Sequence, residues 1–352
     1  MGTSIKSLSI EGFKSIKKLE NFELRNLNIL IGANGAGKSN FIEIFRLLRA
    51  KADENLDTYI ARAGGGDGFF FGGPKLTPRI KMRFVFGENP YELNIEPAND
   101  GRVVSSDSFR FDVNLLAQGF KINPRSGLAP FVYNSVSKWI VYHFHDTGAL
   151  SPMRREQAIE DTAYLRPDAS NIAAFLRKLR HTDEATYTQI RNTIQLVAPF
   201  FDDFLFEERS YENGARKAVL DWKQKGSDFP FQPWHLSDGT LRFICLATAL
   251  LQPDPPPTIV IDEPELGLHP HALEVLAALL QKASMRAQVI VSTQSVTLLN
   301  QFEPEDVITV CREGGASVFG RLNKEELAEW LEDYTLGELW QKNVVEAGAG
   351  YD

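Results

Sequence analysis

Apolar and polar residues alternate at the start of the chain, with Leu8, Ile10 and Phe13 at apolar positions. This period of two is typical of a strand with one buried face. A second strand-like run, Leu27–Ile31, ends in glycine, and apolar residues at helical spacing fill 40–48. The pattern therefore predicts a strand, a glycine loop and a helix, in that order.

The rest of the chain alternates between strand-like and helix-like patterns. A hairpin broken at 87–90 is predicted for 79–97, and another strand for 102–114. The further predicted elements are a strand at 136–144, a helical region at 154–200, a helix at 241–251, a strand at 258–262, a helix at 271–284, a strand at 288–292 and an amphipathic tail at 324–342. Strands that alternate with helices predict an α/β fold.

Two segments allow more than one interpretation. Residues 64–73 (GGGDGFFFGG) are either a mobile loop held by one aromatic cluster or a flap that touches a partner. The tail is predicted to dock Trp330 and Trp340 onto the body of the protein, with partner binding as the alternative.

Composition narrows the class of protein. The 352 residues are 43% hydrophobic and 24% charged, as in a globular protein of one large or two modest domains. The formal charge of −8 excludes a protein that coats nucleic acid with its whole surface. We find neither a membrane-spanning run nor a signal peptide, and Cys245 and Cys311 lack metal spacing, so we expect a cytoplasmic protein without disulfides.

The strongest motif is GANGAGKS at Gly32–Ser39, a complete G-x-x-x-x-G-K-S between a predicted strand and a predicted helix. Glycines let backbone N–H groups wrap around phosphates, and the helix N-terminus adds a favourable partial charge. The motif predicts that Lys38 reaches the β- and γ-phosphates of a nucleotide and that the Ser39 hydroxyl binds Mg²⁺. The alternative is a glycine turn that binds nothing.

A second motif, TIVIDEPE, begins at Thr258 and places acidic residues after a core strand. Asp262 lies at the carboxyl end of this strand, where α/β sheets bind their ligands, and is predicted to hold Mg²⁺ directly or through water. Glu263 is predicted to act as the general base that polarises the attacking water. The alternative is an acidic strand end followed by a proline turn.

A third motif, LSDGT, occupies Leu236–Thr240 and is called the signature loop below. Ser237 and Gly239 at a helix start offer a hydroxyl and free amides to a phosphate, although Ser237 or Asp238 could instead only cap the helix. A second anion site is redundant within one subunit. It is useful if two chains face each other, with each ATP between the phosphate loop of one and the signature loop of the other.

With these motifs the chain resembles the ABC-class ATPases of the SMC/RecF/OLD branch, and within it the compact bacterial ATPases that are often described as AAA-type. The likeness covers nearly the whole chain. It rests on GFKSI near the start, GANGAGKSN, WIVYHFHDT at 139–147, LSDGT, IDEPELGLHP and STQS at 292–295. It implies a P-loop ABC-type ATPase head, in which a mixed sheet is flanked by helices, with an antiparallel β subdomain and a helical lid.

The resemblance also implies domain bounds and residue roles. The head is expected at 1–325, with lobes 1–145 and 236–325, the lid at 146–235 and a helical tail at 326–352. Asp262 and Glu263 correspond to Walker B and the catalytic carboxylate, and 265–269 to the D-loop. ATP-binding residues are expected to be Gly32, Asn34, Gly35, Gly37, Lys38, Ser39, Asn40, Ser237 and Gly239.

Two departures from the pattern bear on function. Transporter ATPases usually carry LSGGQ where this chain has LSDGT. The switch position, often histidine, is Gln294, which can hydrogen-bond the γ-phosphate or the water but cannot carry a proton charge. We therefore expect slow hydrolysis with Glu263 as the sole base, assisted by Lys38 and Gln294. His145 and Asp146 are candidates for a metal-proximal turn, with ordinary strand-end polarity as the alternative.

The sequence thus predicts an ATPase that uses ATP and Mg²⁺ and acts as a homodimerisation switch. The resemblance implies a role in DNA maintenance or anti-phage defence, with DNA or a nuclease-like effector protein as partner and no membrane. DNA binding would need a local basic patch, Lys6, Lys14, Lys17 and Lys18, which could equally be a solvated strand edge. The alternatives are the nucleotide-binding subunit of a membrane transporter and a small-molecule P-loop kinase.

Overall fold

The computed structural model describes residues 3–98, 102–109, 128–212 and 214–345. Its helices are α1 Lys38–Ala52, α2 Leu56–Arg62, α3 Pro130–Val136, α4 Ile172–Thr182, α5 Glu184–Val197, α6 Asp238–Leu251, α7 Pro270–Ser284, α8 Val296–Leu299, α9 Ala328–Leu331 and α10 Leu336–Gln341. Its strands are β1 Ile5–Phe13, β2 Ile16–Glu23, β3 Leu27–Ile31, β4 Ile80–Phe86, β5 Asn89–Pro97, β6 Val103–Phe109, β7 Ile140–Tyr142, β8 Gln157–Ala158, β9 Phe201–Leu205, β10 Glu208–Ser210, β11 Arg216–Ala218, β12 Asp221–Gln224, β13 Pro230–Phe231, β14 Thr258–Asp262, β15 Gln288–Ser292, β16 Val307–Glu313 and β17 Ala316–Arg321.

The chain divides into two compact units. Unit 1 comprises 1–141, 256–260 and 287–352, and unit 2 comprises 142–255 and 261–286. The division passes through the ends of β7 and β14, so both strands contribute residues to each unit. The domain bounds implied by the resemblance stay a prediction.

Unit 1 is built around two sheets and α1. A six-stranded sheet has the order β17-β16-β3-β15-β14-β7, in which β3 is parallel to both β15 and β16. A five-stranded antiparallel sheet has the order β2-β1-β4-β5-β6. Phe41 and Phe45 of α1 lie in one hydrophobic core with Ile10 and Phe84 of the antiparallel sheet and Ile290 of the mixed sheet. The predicted mixed sheet and antiparallel subdomain are confirmed.

The glycine and phenylalanine segment 64–73 is held by aromatic packing. Phe69 and Phe70 are buried, and the Phe69 and Phe13 ring centroids are 6.0 Å apart. The Phe71 amide donates to the Gly12 carbonyl over 2.9 Å. The aromatic cluster that was expected to hold this loop is confirmed, whereas the mobility of the loop and its contact with a partner stay untested.

Unit 2 combines four helices, α4 to α7, with two small sheets of order β10-β11-β8 and β13-β12-β9. Within the predicted helical region 154–200, the helices begin only at Ile172, and the preceding residues form turns and the short strand β8. The segment 146–235 is therefore mixed, whereas the resemblance implied a helical lid. Strands of two to five residues are too short for a visible period, and they are held by contacts such as Trp222 stacked on Phe231 at 4.8 Å.

Two other predicted elements differ from the structure. The strand predicted at 136–144 is present only as the three residues of β7. Its first predicted positions belong to other structure, since Val136 ends helix α3 and Trp139 lies in the turn that follows. A run of buried apolar residues does not by itself distinguish helix from strand. The strand predicted at 102–114 is present as β6, and its last five positions lie outside the described residues.

The tail packs on the body as predicted, and Trp340 is half-buried beside Gly32, but Trp330 takes no part in this contact. The tail forms two short helices, and Trp330 is 47% exposed, so Trp330 does not anchor the tail. Leu336 and Leu339 are buried instead, and the Gly337 amide donates to Asn300 Oδ1 over 2.7 Å. The tail thus packs on α8 and on Asn300, the residue that follows it. No helix among the described residues is both long and apolar enough to cross a membrane.

Candidate nucleotide-binding site

The phosphate loop, Gly32–Ser39, connects β3 to α1, and two of its glycines are required by close packing. A Cβ on Gly32 would lie 2.1 Å from the Val310 carbonyl oxygen, and one on Gly37 would lie 2.1 Å from Ser317 Oγ. Both residues also have positive φ, 153° and 123°. No larger side chain fits either position without moving the backbone.

The outer face of the loop is open. A Cβ on Gly35 would meet no atom within 4 Å, and Asn34 and Ser39 are exposed. Helix α1 starts without a side-chain cap and without an acidic residue in its first turn. Its first N–H groups and partial positive charge therefore face a space that an anion can fill. These residues fit a phosphate group.

Lys38 is 5% exposed and folds back onto its own loop. Its Nζ donates to the Gly32 carbonyl over 2.6 Å and to the Ala33 carbonyl over 3.3 Å. An ammonium group at this point neutralises carbonyl oxygens that would otherwise face an incoming anion. The structure therefore places the lysine charge inside the loop, and the predicted contact of Lys38 with the β- and γ-phosphates stays a prediction.

A serine pair that sequence reasoning missed supports the loop from behind. Asn40 Nδ2 and Ser317 Oγ each donate to Ser15 Oγ over 2.6 Å, and Ser317 is also bonded to the Ala36 carbonyl. Asn40, predicted as a nucleotide ligand, thus holds the loop in place. Ser15 belongs to the GFKSI motif, but Ser317 carries no sequence signal.

An open cavity of about 550 Å³ lies beside this serine pair. Lys14 and Arg312 are the two cationic residues that line it, together with Asn40 and Phe71. Lys14 Nζ is 3.4 Å from a carboxylate oxygen of Glu43. The cavity is thus a polar, cation-lined space next to the start of α1.

Gln294 lies at the same sheet edge as the phosphate loop. It follows β15, the parallel neighbour of β3, and the amide of the preceding residue, Thr293, donates to the Leu30 carbonyl over 2.9 Å. Gln294 is exposed, and Ser295 after it caps α8 by accepting from the Leu298 amide. Carboxyl ends of parallel strands meet at one edge, which is where α/β proteins bind ligands.

The acidic turn of unit 2 begins where β14 ends. Asp262 and Glu263 are half-buried, and Glu263 has a φ of 45°, in the left-handed region. A ring nitrogen of His145 is 2.8 Å from the Asp262 carbonyl oxygen. The structure therefore brings the predicted metal-proximal turn and the acidic turn together through a backbone contact.

The signature loop begins helix α6. Ser237 caps the helix, since its Oγ accepts from the Thr240 amide over 3.1 Å. Ser237 therefore caps the helix and is also exposed, and its binding of a phosphate stays a prediction. A Cβ on Gly239 would lie 2.2 Å from the Gly267 carbonyl oxygen, so this loop packs against the turn that precedes α7.

Comparison with known proteins identifies the family. Residues 27–300 match the family described as "AAA domain, putative AbiEii toxin, Type IV TA system". The chain belongs to this family. No curated protein matches this AAA-domain protein by sequence.

Solved structures show the fold of this AAA-domain protein. It is similar to an Smc head bound to the C-terminal winged-helix domain of ScpA, with a TM-score of 0.61, 20% identity and coverage of 92% of this chain and 99% of that one. It is also similar to the Smc head domain of Pyrococcus furiosus, with an extended coiled coil and bound to the C-terminal domain of ScpA, with a TM-score of 0.59, 18% identity and coverage of 94% and 98%. The resemblance is confirmed: the family match gives an AAA domain, and the solved structures show the fold of an Smc head.

Two buried arginines of unit 2 contact the segments around His145 and the signature loop, and sequence reasoning missed both. Arg242 of α6 donates from Nε to the Phe144 carbonyl over 2.8 Å and from a terminal nitrogen to the His145 carbonyl over 3.2 Å. Burial lowers the pKa of its guanidinium. Arg154 holds the signature loop. A lone arginine in a loop has no periodicity or spacing that would single it out.

Preformed metal cages are absent from the part of the AAA-domain protein that the structure describes. No group of three or more His, Cys, Asp or Glu side chains there could hold a metal ion. Mg²⁺ usually keeps several waters and takes only one or two protein ligands beside substrate phosphates, so it does not need such a cage.

Proposed function

We propose that this chain is an ATP-dependent dimerisation switch that binds ATP with Mg²⁺ and hydrolyses it slowly. The observation that supports the proposal most is the phosphate loop, with its open amides, the clear space above Gly35 and the buried Lys38. A glycine turn without a ligand would have no need for a buried ammonium group, since burying a charge is costly.

The proposed roles follow from the chemistry of each side chain. The backbone of Gly32, Asn34, Gly35 and Gly37 cradles the phosphates, and Lys38 balances their charge. Ser39 and Asp262 hold Mg²⁺, which neutralises charge that develops on the phosphate oxygens. Glu263 orients the attacking water and accepts its proton.

Gln294 distinguishes this proposed site from one with a switch histidine. Its amide donates a hydrogen bond to the γ-phosphate or the water but cannot accept a proton and become charged. Glu263 is then the only base, and we expect slow turnover. This slow step gives the ATP-bound state a long life, as a switch requires.

The dimer is proposed from the exposed signature loop. Ser237 and Gly239 lie at the start of α6, where a phosphate of a second copy's nucleotide can accept hydrogen bonds from the hydroxyl and the amides. Two copies then complete two sites. An Smc head of the same fold was solved bound to a ScpA domain, and we propose that this chain likewise reports its state to DNA or to an effector protein.

The experiment that tests this function measures molar mass with and without MgATP by light scattering. The Glu263→Gln variant should retain ATP and change from monomer to dimer, because binding persists while the base is lost. Adding Ser237→Arg should abolish the dimer and leave ATP affinity unchanged. Adding Lys38→Ala should abolish ATP binding itself.

Three results would contradict the proposal. These are a Glu263→Gln monomer that turns ATP over at the wild-type rate, a dimer that persists with Arg at 237, and full ATP affinity without Lys38. The last would reject the phosphate loop itself, while the first two would reject the base and the composite site separately.

A further inference from the structure

Arg154 is a buried cation that reaches three parts of unit 2. It is 7% exposed and ends a 3-10 helix, Pro152–Arg154. Its Nε donates to the Thr147 carbonyl over 2.8 Å, and one terminal nitrogen is bonded to the Pro233 carbonyl. Both terminal nitrogens also reach the Leu236 carbonyl, at 3.3 and 3.2 Å.

The remaining contact falls on the signature loop itself. A terminal nitrogen of Arg154 donates to a carboxylate oxygen of Asp238 over 2.8 Å. The Arg154 side chain is 6% exposed, whereas that of Asp238 is 64% exposed. The buried cation therefore binds the loop from its inner side, and the outer side of the loop stays open.

This pair explains the third residue of LSDGT. Transporter ATPases, to which the loop was compared above, usually have glycine there, and glycine offers no acceptor to a guanidinium. Asp238 adds a charge-assisted hydrogen bond to those from the carbonyls. It also supplies a negative charge to the first turn of α6, which the helix dipole favours.

We propose that Arg154 is the positioning residue of the signature loop. Its planar fork fixes the backbone before Ser237 and the carboxylate after it, so that the hydroxyl and the first amides of α6 have one orientation. The three donors of a lysine lie on one nitrogen, so lysine cannot make these contacts together. This inference rests on the proposed composite site, and it adds that the geometry of the loop is set from residue 154.

The segment that carries Arg154 is fixed by hydrogen bonds and packing, so that Arg154 restrains the signature loop. The Arg154 amide donates to the Ser151 carbonyl over 3.0 Å, and Ser151 Oγ donates to the Asp146 carbonyl over 2.6 Å. Met153 beside it is buried, with its sulfur 3.8 Å from Cys245 Sγ of α6. Because its backbone is fixed in this way, the Arg154 guanidinium restrains the signature loop and is not displaced with it.

The test compares Arg154→Lys with Arg155→Lys, which changes the exposed neighbour. Amide hydrogen exchange in the nucleotide-free protein should be about tenfold faster at Leu236 and Thr240 in Arg154→Lys, since a charge-assisted hydrogen bond is worth roughly a factor of ten in an equilibrium constant. Amides of α5 and α7 should exchange at the wild-type rate. Arg155→Lys should change neither set.

The second arm places both substitutions in the Glu263→Gln background. Arg154→Lys should keep its affinity for a fluorescent ATP analogue while the ATP-dependent dimer dissociates at least about tenfold more readily. Asp238→Ala, at an exposed position that cannot unfold the core, should loosen the same amides to a smaller extent. If Arg154→Lys does not fold, Asp238→Ala tests in its place whether the contact of Arg154 with Asp238 positions the signature loop.

The outcomes separate the two proposals. Faster exchange with an unchanged dimer, or a loss of protection throughout unit 2, would overturn the positioning role. If Glu263→Gln alone forms no dimer with ATP, the proposed function fails. Amide exchange then tests the contact of Arg154 with the signature loop independently of the dimer. Unchanged exchange rates at Leu236 and Thr240 in Arg154→Lys would contradict the proposal that Arg154 positions the loop.

Discussion

At the scale of single residues, the backbone of Glu263 is unusual. Its φ of 45° lies in the left-handed region, which costs a residue with a Cβ about 1 kcal/mol. Backbone strain of this kind is concentrated at functional sites, where the surrounding structure holds a side chain in one direction. A carboxylate that must face a water molecule is such a side chain, and the strain therefore supports the proposed role of Glu263.

We predict that Glu263→Gly is more stable than Glu263→Ala by about 1 kcal/mol. Both variants lack the carboxylate, so they differ only in the Cβ that the left-handed backbone disfavours. Urea unfolding followed by circular dichroism measures the difference, and neither variant should hydrolyse ATP. Equal midpoints, or a more stable alanine variant, would show that the backbone at this position carries no strain.

At the scale of elements, the three helices that begin at or next to predicted motifs start in three ways. Helix α1 starts at a glycine without a side-chain cap, α6 is capped by Ser237, and α7 is capped by His269 with proline in its first turn. Of the three, only α1 leaves its first turn without a side-chain acceptor, so all of its first amides stay available to an anion. The α6 and α7 starts are joined by the contact of Gly239 with Gly267.

We predict that Gly239→Ala displaces the signature loop, because its Cβ would lie 2.2 Å from the Gly267 carbonyl oxygen. Overpacking of this kind costs about 1–3 kcal/mol, seen as a lower thermal midpoint, and should reduce the ATP-dependent dimer. The matched control is Gly148→Ala in the same unit, where the nearest contact of a Cβ would be an ordinary 3.5 Å. Equal effects of the two substitutions would argue against a role for the close approach.

At the scale of the whole molecule, charge limits what the surface can bind. The protein carries a formal charge of −8, and two of the four lysines predicted as a DNA-binding patch are already paired. Lys14 is 3.4 Å from Glu43, and Lys18 is 2.9 Å from Glu20. Lys6 and Lys17 are exposed and are the stronger candidates for phosphate contacts.

We predict weak binding of duplex DNA that is lost as salt rises, with a slope of roughly 2 in a plot of log affinity against log salt. Fluorescence anisotropy of a labelled duplex measures this slope. Replacing Lys6 and Lys17 by glutamine should reduce both the affinity and the slope, while the same change at Lys75 and Lys138 should not. No binding at low salt would favour the interpretation of these lysines as a solvated strand edge.

The sequence by itself determined the features that depend on short stretches of chain. The strand, loop and helix around Gly32–Ser39, the strand that ends at Asp262 and the helix after Ser237 are each specified by local periodicity, glycines and caps. The α/β class and the family followed from these motifs. The roles of these motifs in nucleotide binding and hydrolysis stay predictions, based on the same local patterns.

Only the tertiary structure decided which distant residues support those motifs. Ser317, which supports the phosphate loop, is hydrogen-bonded to Ser15 although 302 positions separate the two residues in sequence. His145 contacts Asp262 across 117 positions, and Arg154 binds Asp238 across 84 positions. The role of Trp330 in the tail was mispredicted for the same reason, since Leu339 is buried and Trp330 is exposed. Each of these contacts joins single residues that belong to no repeating pattern in the sequence. The burial and the hydrogen-bond partners of such residues therefore become apparent only in the folded chain.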